Sequence, residues 1–181
     1  LASSNCGSWS RQKSRTTTEA VKGDRLMEPV RIAMLGMGRM GTDLARICKE
    51  LPQANLTAIC GHGEKKVADL AGELEVPGYL DTSEMLAKHS DLEVVCIATQ
   101  STDHVRLPVC LEIIEAGIPI MLEGPLAMSV SAAEQIVETA EKAGVPILMN
   151  ETLHFEPRFA GASKAIADGE IGEILHLYLR H

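Results

Sequence analysis

The chain has 181 residues, 45% hydrophobic and 23% charged, enough for one good-sized core with an ordinary globular balance. Aromatics are only 3%, so the core must come from Ala, Val, Ile, Leu and Met, which suits a parallel sheet between helices better than an aromatic-rich sandwich. A net charge of −8 argues against nucleic acid and anionic membrane as partners, and no apolar run approaches the ~18–20 residues of a membrane span.

Residues 1–26 are rich in Ser, Thr, Arg and Lys and show no hydrophobic period. Arg11, Lys13, Arg15, Lys22 and Arg25 outnumber Glu19 and Asp24, so the acidity of the chain lies in the remainder. Without an apolar h-region the stretch is not a secretory signal, although its low acid content leaves an organelle transit peptide open. It reads as a disordered tail, with Met27-Glu28-Pro29-Val30-Arg31 resembling a natural start before the first strand.

From Val30 onward, short β-branched runs alternate with helical stretches, the pattern of a doubly wound parallel sheet. The first strand is expected over Arg31–Leu35, a helix over Thr42–Leu51 stopped by Pro52, and a second strand over Leu56–Cys60. Lys65–Leu74 follows as a helix with Val67, Leu70, Ala71 and Leu74 on one face. Asp81-Thr82-Ser83-Glu84 caps a short helix, and Leu92–Ala98 reads as a strand buried on both sides. Pro108 fits the first turn of the next helix, whose regular part is expected from about Leu107 to Ala116, stopping at Gly117. Then come a strand over Ile118–Glu123, a helix over Ser131–Ala143 ended by Gly144, and a strand over Val145–Asn150.

Residues 27–151 thus read as an α/β Rossmann domain. Residues 152–181 read as a crossover helix, Pro157–Ala167, and the first strand of a second α+β domain, Glu173–Arg180. Leu175, Leu177 and Leu179 fall on one face of that strand, and an unpaired apolar edge invites association, which leaves a homo-oligomer open. Five cysteines, Cys6, Cys48, Cys60, Cys96 and Cys110, form no C-x-x-C pair; four lie in apolar runs, which suits buried thiols in the cytoplasm. The histidines show no spacing with carboxylates or thiols that would hold a metal.

The chemistry concentrates in Gly36-Met37-Gly38-Arg39-Met40-Gly41, a G-x-G-x-x-G turn that follows a strand and opens a helix. Gly36 permits the tight turn, Gly38 lets the backbone approach a pyrophosphate, and Gly41 lets helix and strand pack closely. The diphosphate of a nicotinamide dinucleotide would rest on free N–H groups at the positive end of that helix. The end of the second strand normally carries an Asp or Glu for the ribose hydroxyls, but here the sequence is Cys60-Gly61-His62-Gly63-Glu64-Lys65-Lys66. With Gly61 in the acid's place and His62, Lys65 and Lys66 nearby, the reading leans to NADP over NAD. Two alternatives stay open: the lysines as a solvated helix turn, and Glu64 as the acid through a shifted turn.

The turn, the strand Val94–Ala98 ending in Thr99, and Glu123-Gly124-Pro125-Leu126-Ala127 together resemble the glucose-fructose oxidoreductase, inositol dehydrogenase and rhizopine catabolism (Gfo/Idh/MocA) family. Glu115-Ala116-Gly117, Asn150 with His154-Phe155-Glu156-Pro157, and Gly169-Glu170-Ile171-Gly172-Glu173-Ile174 extend the resemblance over Val30 to His181. It implies hydride transfer between a nicotinamide cofactor and a hydroxyl of a sugar, inositol or related polyol. It also implies a pyrophosphate on Gly36, Gly38 and Gly41, with Thr99 near the cofactor and Glu123 by its nicotinamide end. His104 matches a recurrent family position but equally suits a packing role at a helix start. The family's Glu-Lys-Pro motif, whose Lys handles the proton of the reacting hydroxyl, has Gly124 here, and glycine offers no acid or base. The Arg of its Asn-x-x-x-Arg-Phe pattern is His154. Three readings therefore compete: a polyol dehydrogenase, an inactive NAD(P)-binding module or sensor, and a Rossmann domain for another phosphate-bearing ligand such as coenzyme A.

Overall fold

The computed structural model describes residues 28–178, so the expected disordered tail lies outside the described residues. Six parallel strands form one sheet in the order β3-β2-β1-β4-β5-β6. They are β1 (Val30–Leu35), β2 (Ala54–Cys60), β3 (Gly78–Tyr79), β4 (Val94–Ile97), β5 (Ile120–Glu123) and β6 (Ile147–Asn150). The helices are α1 (Arg39–Glu50), α2 (Glu64–Leu74), α3 (Thr82–Lys88), α4 (Asp103–Glu115), α5 (Val130–Ala143), α6 (Thr152–Phe155) and α7 (Pro157–Ala167).

The two-residue period of the strands divides the core. Ala33 and Leu35 of β1, Val95 and Ile97 of β4, and Ile120 and Leu122 of β5 pack in one cluster with Cys110, Ile113 and Ile114 of α4, Ile136 of α5 and Met85 of α3. Met34 and Cys96, pointing the other way, join Ala45 and Cys48 of α1 and Val67, Leu70 and Leu74 of α2. In β2 the register against β1 slips between Ile32 and Ala33, so Ile32 faces Leu56 while Ala33 faces Ala58. The bulge lets Leu56 and Ile59, three apart, share the second cluster while Ala58 and Cys60 serve the first. Cys48, Cys60, Cys96 and Cys110 are all buried free thiols, as their apolar settings imply.

The caps follow the sequence closely. Asp81 accepts a hydrogen bond from the Glu84 N–H at 2.8 Å, and Gly144 ends α5 in the left-handed conformation at φ 68°. Two elements differ from expectation. Helix α4 starts at Asp103, not near Leu107, leaving Pro108 inside it. Its first turn is secured elsewhere: the Thr102 carbonyl accepts from the N–H groups of Val105 and Arg106, and the Asp103 carboxylate accepts from the Met128 N–H at 2.7 Å. The lost bond of one proline is outweighed by these.

The expected strand over 173–180 does not form at 174–178; residues 179–181 lie outside the described residues. A strand needs a neighbour for its N–H and C=O groups, and no described strand runs beside these five residues. Leu175, Leu177 and Tyr178 are exposed there. Sequence reading also missed β3 and α6, each under five residues and too short to carry a period.

Candidate functional site

The strand order reverses between β1 and β4, since the chain moves outward through β2 and β3 before returning to β1's other side. A crevice opens beyond the carboxyl ends of strands at such a point. Here it has a volume of about 450 Å³ and is lined by the turn from Gly36 to Met40, by His62 and Lys66, and by Ala98, Thr99 and Gln100 after β4.

Each glycine of the turn answers a different constraint. Gly36 has φ 97°, and a Cβ on it would come within 2.6 Å of the backbone of Ala98 and Thr99. A Cβ on Gly41 would overlap the Gly36 carbonyl oxygen, so Gly41 allows helix α1 to start tight against the turn. A Cβ on Gly38 would meet nothing within 4 Å, so that side of its backbone faces open space. Helix α1 has no side-chain cap and no acidic residue in its first turn, so nothing neutralises its positive end. The hydroxyl of Thr99 is buried and has no hydrogen-bond partner among the described residues. An open backbone cradle, an uncompensated helix N-terminus and an orphaned hydroxyl are the features a diphosphate-bearing dinucleotide fits.

The side of the crevice near β2 explains the missing acid. Gly61 is buried under Met37, and a Cβ on Gly61 would approach Met37 Cγ to 2.8 Å. Met37 is itself 5% exposed and packs in the core beside Ala45, Ile59 and Val67. Of the two lysines, Lys66 borders the crevice, whereas Lys65 holds Asp69 at 2.7 Å one turn along α2. Glu64 opens α2 and is not among the lining residues.

Three sequence candidates lie apart from that cleft. His104 is exposed on the first turn of α4. Glu123 ends β5, where its carboxylate accepts from Asn150 Nδ2 at 2.8 Å, the two residues being register partners across β5 and β6. Gly124 is followed by a cis peptide bond to Pro125. The space a side chain on Gly124 would enter is taken by the carboxylate of Glu151, an exposed residue.

Arg106 escaped the sequence reading. It is 2% exposed, the one buried charged side chain among the described residues. Its Nη2 donates to the Thr99 carbonyl at 2.6 Å, and its Nη1 to the carbonyls of Glu123, at 2.8 Å, and Pro125. Burial pulls its pKa below the usual arginine value, with the Glu123 and Cys110 charges opposing. A signal existed: Arg106, Cys110, Ile113 and Ile114 recur at i, i+4, i+7 and i+8, placing a lone charge on the buried face of α4.

Comparison with known proteins agrees with this geometry. A family model described as "Oxidoreductase family, NAD-binding Rossmann fold" matches residues 30–151. The chain is similar to the inositol 2-dehydrogenase of Arthrobacter sp. (strain FB24), 31% identical over 162 residues, covering 86% of this chain and 46% of that protein. It is also similar to the 2,7-anhydro-N-acetylneuraminate hydratase of Mediterraneibacter gnavus, 30% identical over 154 residues, 84% of this chain and 39% of the relative. Among solved structures, GenD2 from gentamicin A biosynthesis in complex with NAD superposes with a TM-score of 0.74 at 26% identity, over 82% of this chain and 42% of that one. The chain spans less than half the length of these relatives.

Proposed function

This chain belongs to the oxidoreductase family with an NAD-binding Rossmann fold, and from that premise we propose that it is the cofactor-binding half of an NAD(P)-dependent dehydrogenase acting on a hydroxyl of a sugar, inositol or related polyol. The observation that carries the reading is the crevice at the β1/β4 reversal, with the open backbone of Gly38 at the uncapped start of α1. When bound, a nicotinamide dinucleotide supplies a ring that takes up or gives a hydride. The chain's part is to hold it: Gly36 to Gly41 around the pyrophosphate, His62 and Lys66 at the adenosine ribose, Thr99 beyond the turn, and Glu123 toward the nicotinamide end. His104, exposed and outside the crevice, is given no part in holding the cofactor in this reading.

NADP is favoured over NAD. An acid for the 2′-hydroxyl has no room at Gly61, because Met37 covers it, while His62 and Lys66 offer donors and positive charge to a 2′-phosphate.

A second reading, a cofactor-binding module without turnover of its own, is favoured by one observation. Gly124 has no proton-handling group, and the neighbouring Glu151 carboxylate fills the space such a group would use. Both readings require binding. Fluorescence titration of the 181-residue chain with NADPH and NADH is expected to saturate with both and at lower concentration for NADPH. A folded chain that ignores both at millimolar concentration would remove the assignment. Turnover of myo-inositol or glucose by the chain alone would decide for the enzyme over the module.

A further inference from the structure

We infer that Arg106 is a positioning residue: its guanidinium fixes the β4 and β5 ends of the crevice, and so sets the seat of the nicotinamide half of the cofactor without touching it.

This rests on the dinucleotide-binding reading and extends it. In the crevice the diphosphate belongs at the turn after β1, and the adenosine ribose belongs at the end of β2, beside His62 and Lys66. The other half of the molecule must then cross toward β4 and β5. The chain leaves β4 after Ile97 and β5 at Glu123, its last residue, as two separate loops. Neither loop is tied to the other by the sheet, whose β4–β5 register ends at Ile97 and Leu122.

Arg106 supplies the tie. One guanidinium takes the Thr99 carbonyl of the first loop and the Glu123 and Pro125 carbonyls of the second. The planar fork of donors holds both loops at a fixed separation, which a flexible ammonium would do less well. All three acceptors are main-chain oxygens, so the contact sets backbone position whatever the side chains there do. Placing a cation at 2% exposure, with Nε left without a partner among the described residues, is costly, and helix α4 would close more cheaply on an aliphatic residue. The same link orients Thr99, a crevice residue whose buried hydroxyl has no partner among the described residues, and Glu123, whose carboxylate Asn150 holds from the next strand. Among the described residues none from Gly36 to Gly41, nor His62 or Lys66, hydrogen-bonds to the guanidinium, so the adenosine half depends on Arg106 less than the nicotinamide half does.

The test compares two ligands on the intact chain by calorimetry: NADPH, and 2′-phospho-ADP-ribose, which lacks the nicotinamide. Arg106→Met is expected to weaken NADPH by about tenfold or more while changing 2′-phospho-ADP-ribose by less than about twofold. Arg106→Lys, which keeps the charge but not the fork, is expected to fall between the wild type and Arg106→Met for NADPH and to leave the smaller ligand unchanged. If Arg106→Met fails to fold, the Lys variant decides by the same criterion. Equal weakening of both ligands would mark a merely structural residue, and no weakening of either would mark a bystander; each overturns the inference. If the wild-type chain binds neither ligand, the dinucleotide reading itself fails, an outcome visible before any variant is made.

Discussion

Met37 lies over Gly61, and a Cβ on Gly61 would stand 2.8 Å from Met37 Cγ and 3.2 Å from Met37 Cβ and N. The second residue of the phosphate-binding turn therefore decides what the end of β2 can carry. A side chain there has to displace a methionine that belongs to the core between the sheet, α1 and α2. Under the proposed dinucleotide reading, cofactor preference and packing are joined at this one contact.

The consequence is a paired substitution. Gly61→Asp alone is expected to cost about 1–3 kcal/mol, the usual price of overpacking, read by urea unfolding. Combined with Met37→Ala, which removes the Cγ contact and leaves only Cβ and N at 3.2 Å, the Asp is expected to cost less and to shift the NADPH-to-NADH affinity ratio toward NADH. An unchanged ratio in the folded double variant would show that the end of β2 does not face the ribose.

The glycines of the turn should separate binding from folding. Around Gly38 there is open space, so Gly38→Ala is expected to leave the unfolding midpoint nearly unchanged while weakening NADPH by about tenfold or more, the methyl standing where the diphosphate approaches. Gly41→Ala drives a methyl into the Gly36 carbonyl and is expected to destabilise the chain by at least about 2 kcal/mol. Thermal unfolding beside fluorescence titration reads both. Equal effects of the two substitutions on stability would contradict the geometry.

Much of this was visible in the residues alone, and what was hidden had a physical reason. The order of strands, the Gly36–Gly41 turn, the Asp81 cap and the Gly144 stop rest on local chemistry: a period, a short polar side chain, a positive φ. Even the absent acid at Gly61 could be read off. Its cause could not, because Met37 and Gly61 are brought together only by the parallel pairing of β1 with β2. Arg106 was hidden for a similar reason, since its three partners come from loops that approach α4 only once the sheet is built. Pro108 looks like a start signal in the sequence, but helix α4 begins five residues earlier, where contacts from Asp103 to the segment before α5 hold the first turn. The strand expected after α7 fails on the same ground, since alternation of leucines fixes a face but not a neighbour to pair with.

Stability at alkaline pH follows from two buried thiols. Burial pushes the Cys60 thiol up to about 11 and that of Cys110 to about 12, against about 8.5 for a free cysteine. The folded chain thus keeps protons that the unfolded chain releases. Stability from this source is complete below about pH 8.5 and declines as pH rises through 11 and 12, by an amount on the order of a few kcal/mol. The urea midpoint is expected to fall across that window. In a Cys60→Ala, Cys110→Ala variant the midpoint starts lower, from lost packing, but the decline should be shallower. An identical slope would assign the alkaline loss to other groups, among them Cys96, whose thiol the neighbouring Cys48 and burial also push up.

Gly124 and Glu151 offer the last test. Gly124→Lys brings an ammonium-bearing stem into the space now held by the Glu151 carboxylate, a flexible group on an exposed residue that can swing aside. The substitution should therefore be accepted. The new ammonium then has a carboxylate for a partner in solvent, a pairing worth only about 0.2–1 kcal/mol and screened by salt. The expected result is a small rise in the unfolding midpoint at low ionic strength that disappears near 1 M salt and is absent when Glu151→Gln is added. If Gly124→Lys instead unfolds the chain, the Glu151 side chain is held more firmly than its exposure implies. No gain in polyol oxidation is expected from Gly124→Lys, because an ammonium paired with a carboxylate has no lone pair to take the proton of a reacting hydroxyl. A measurable gain would mean that residues 1–181 already hold the polyol, and would decide for an enzyme over a binding module.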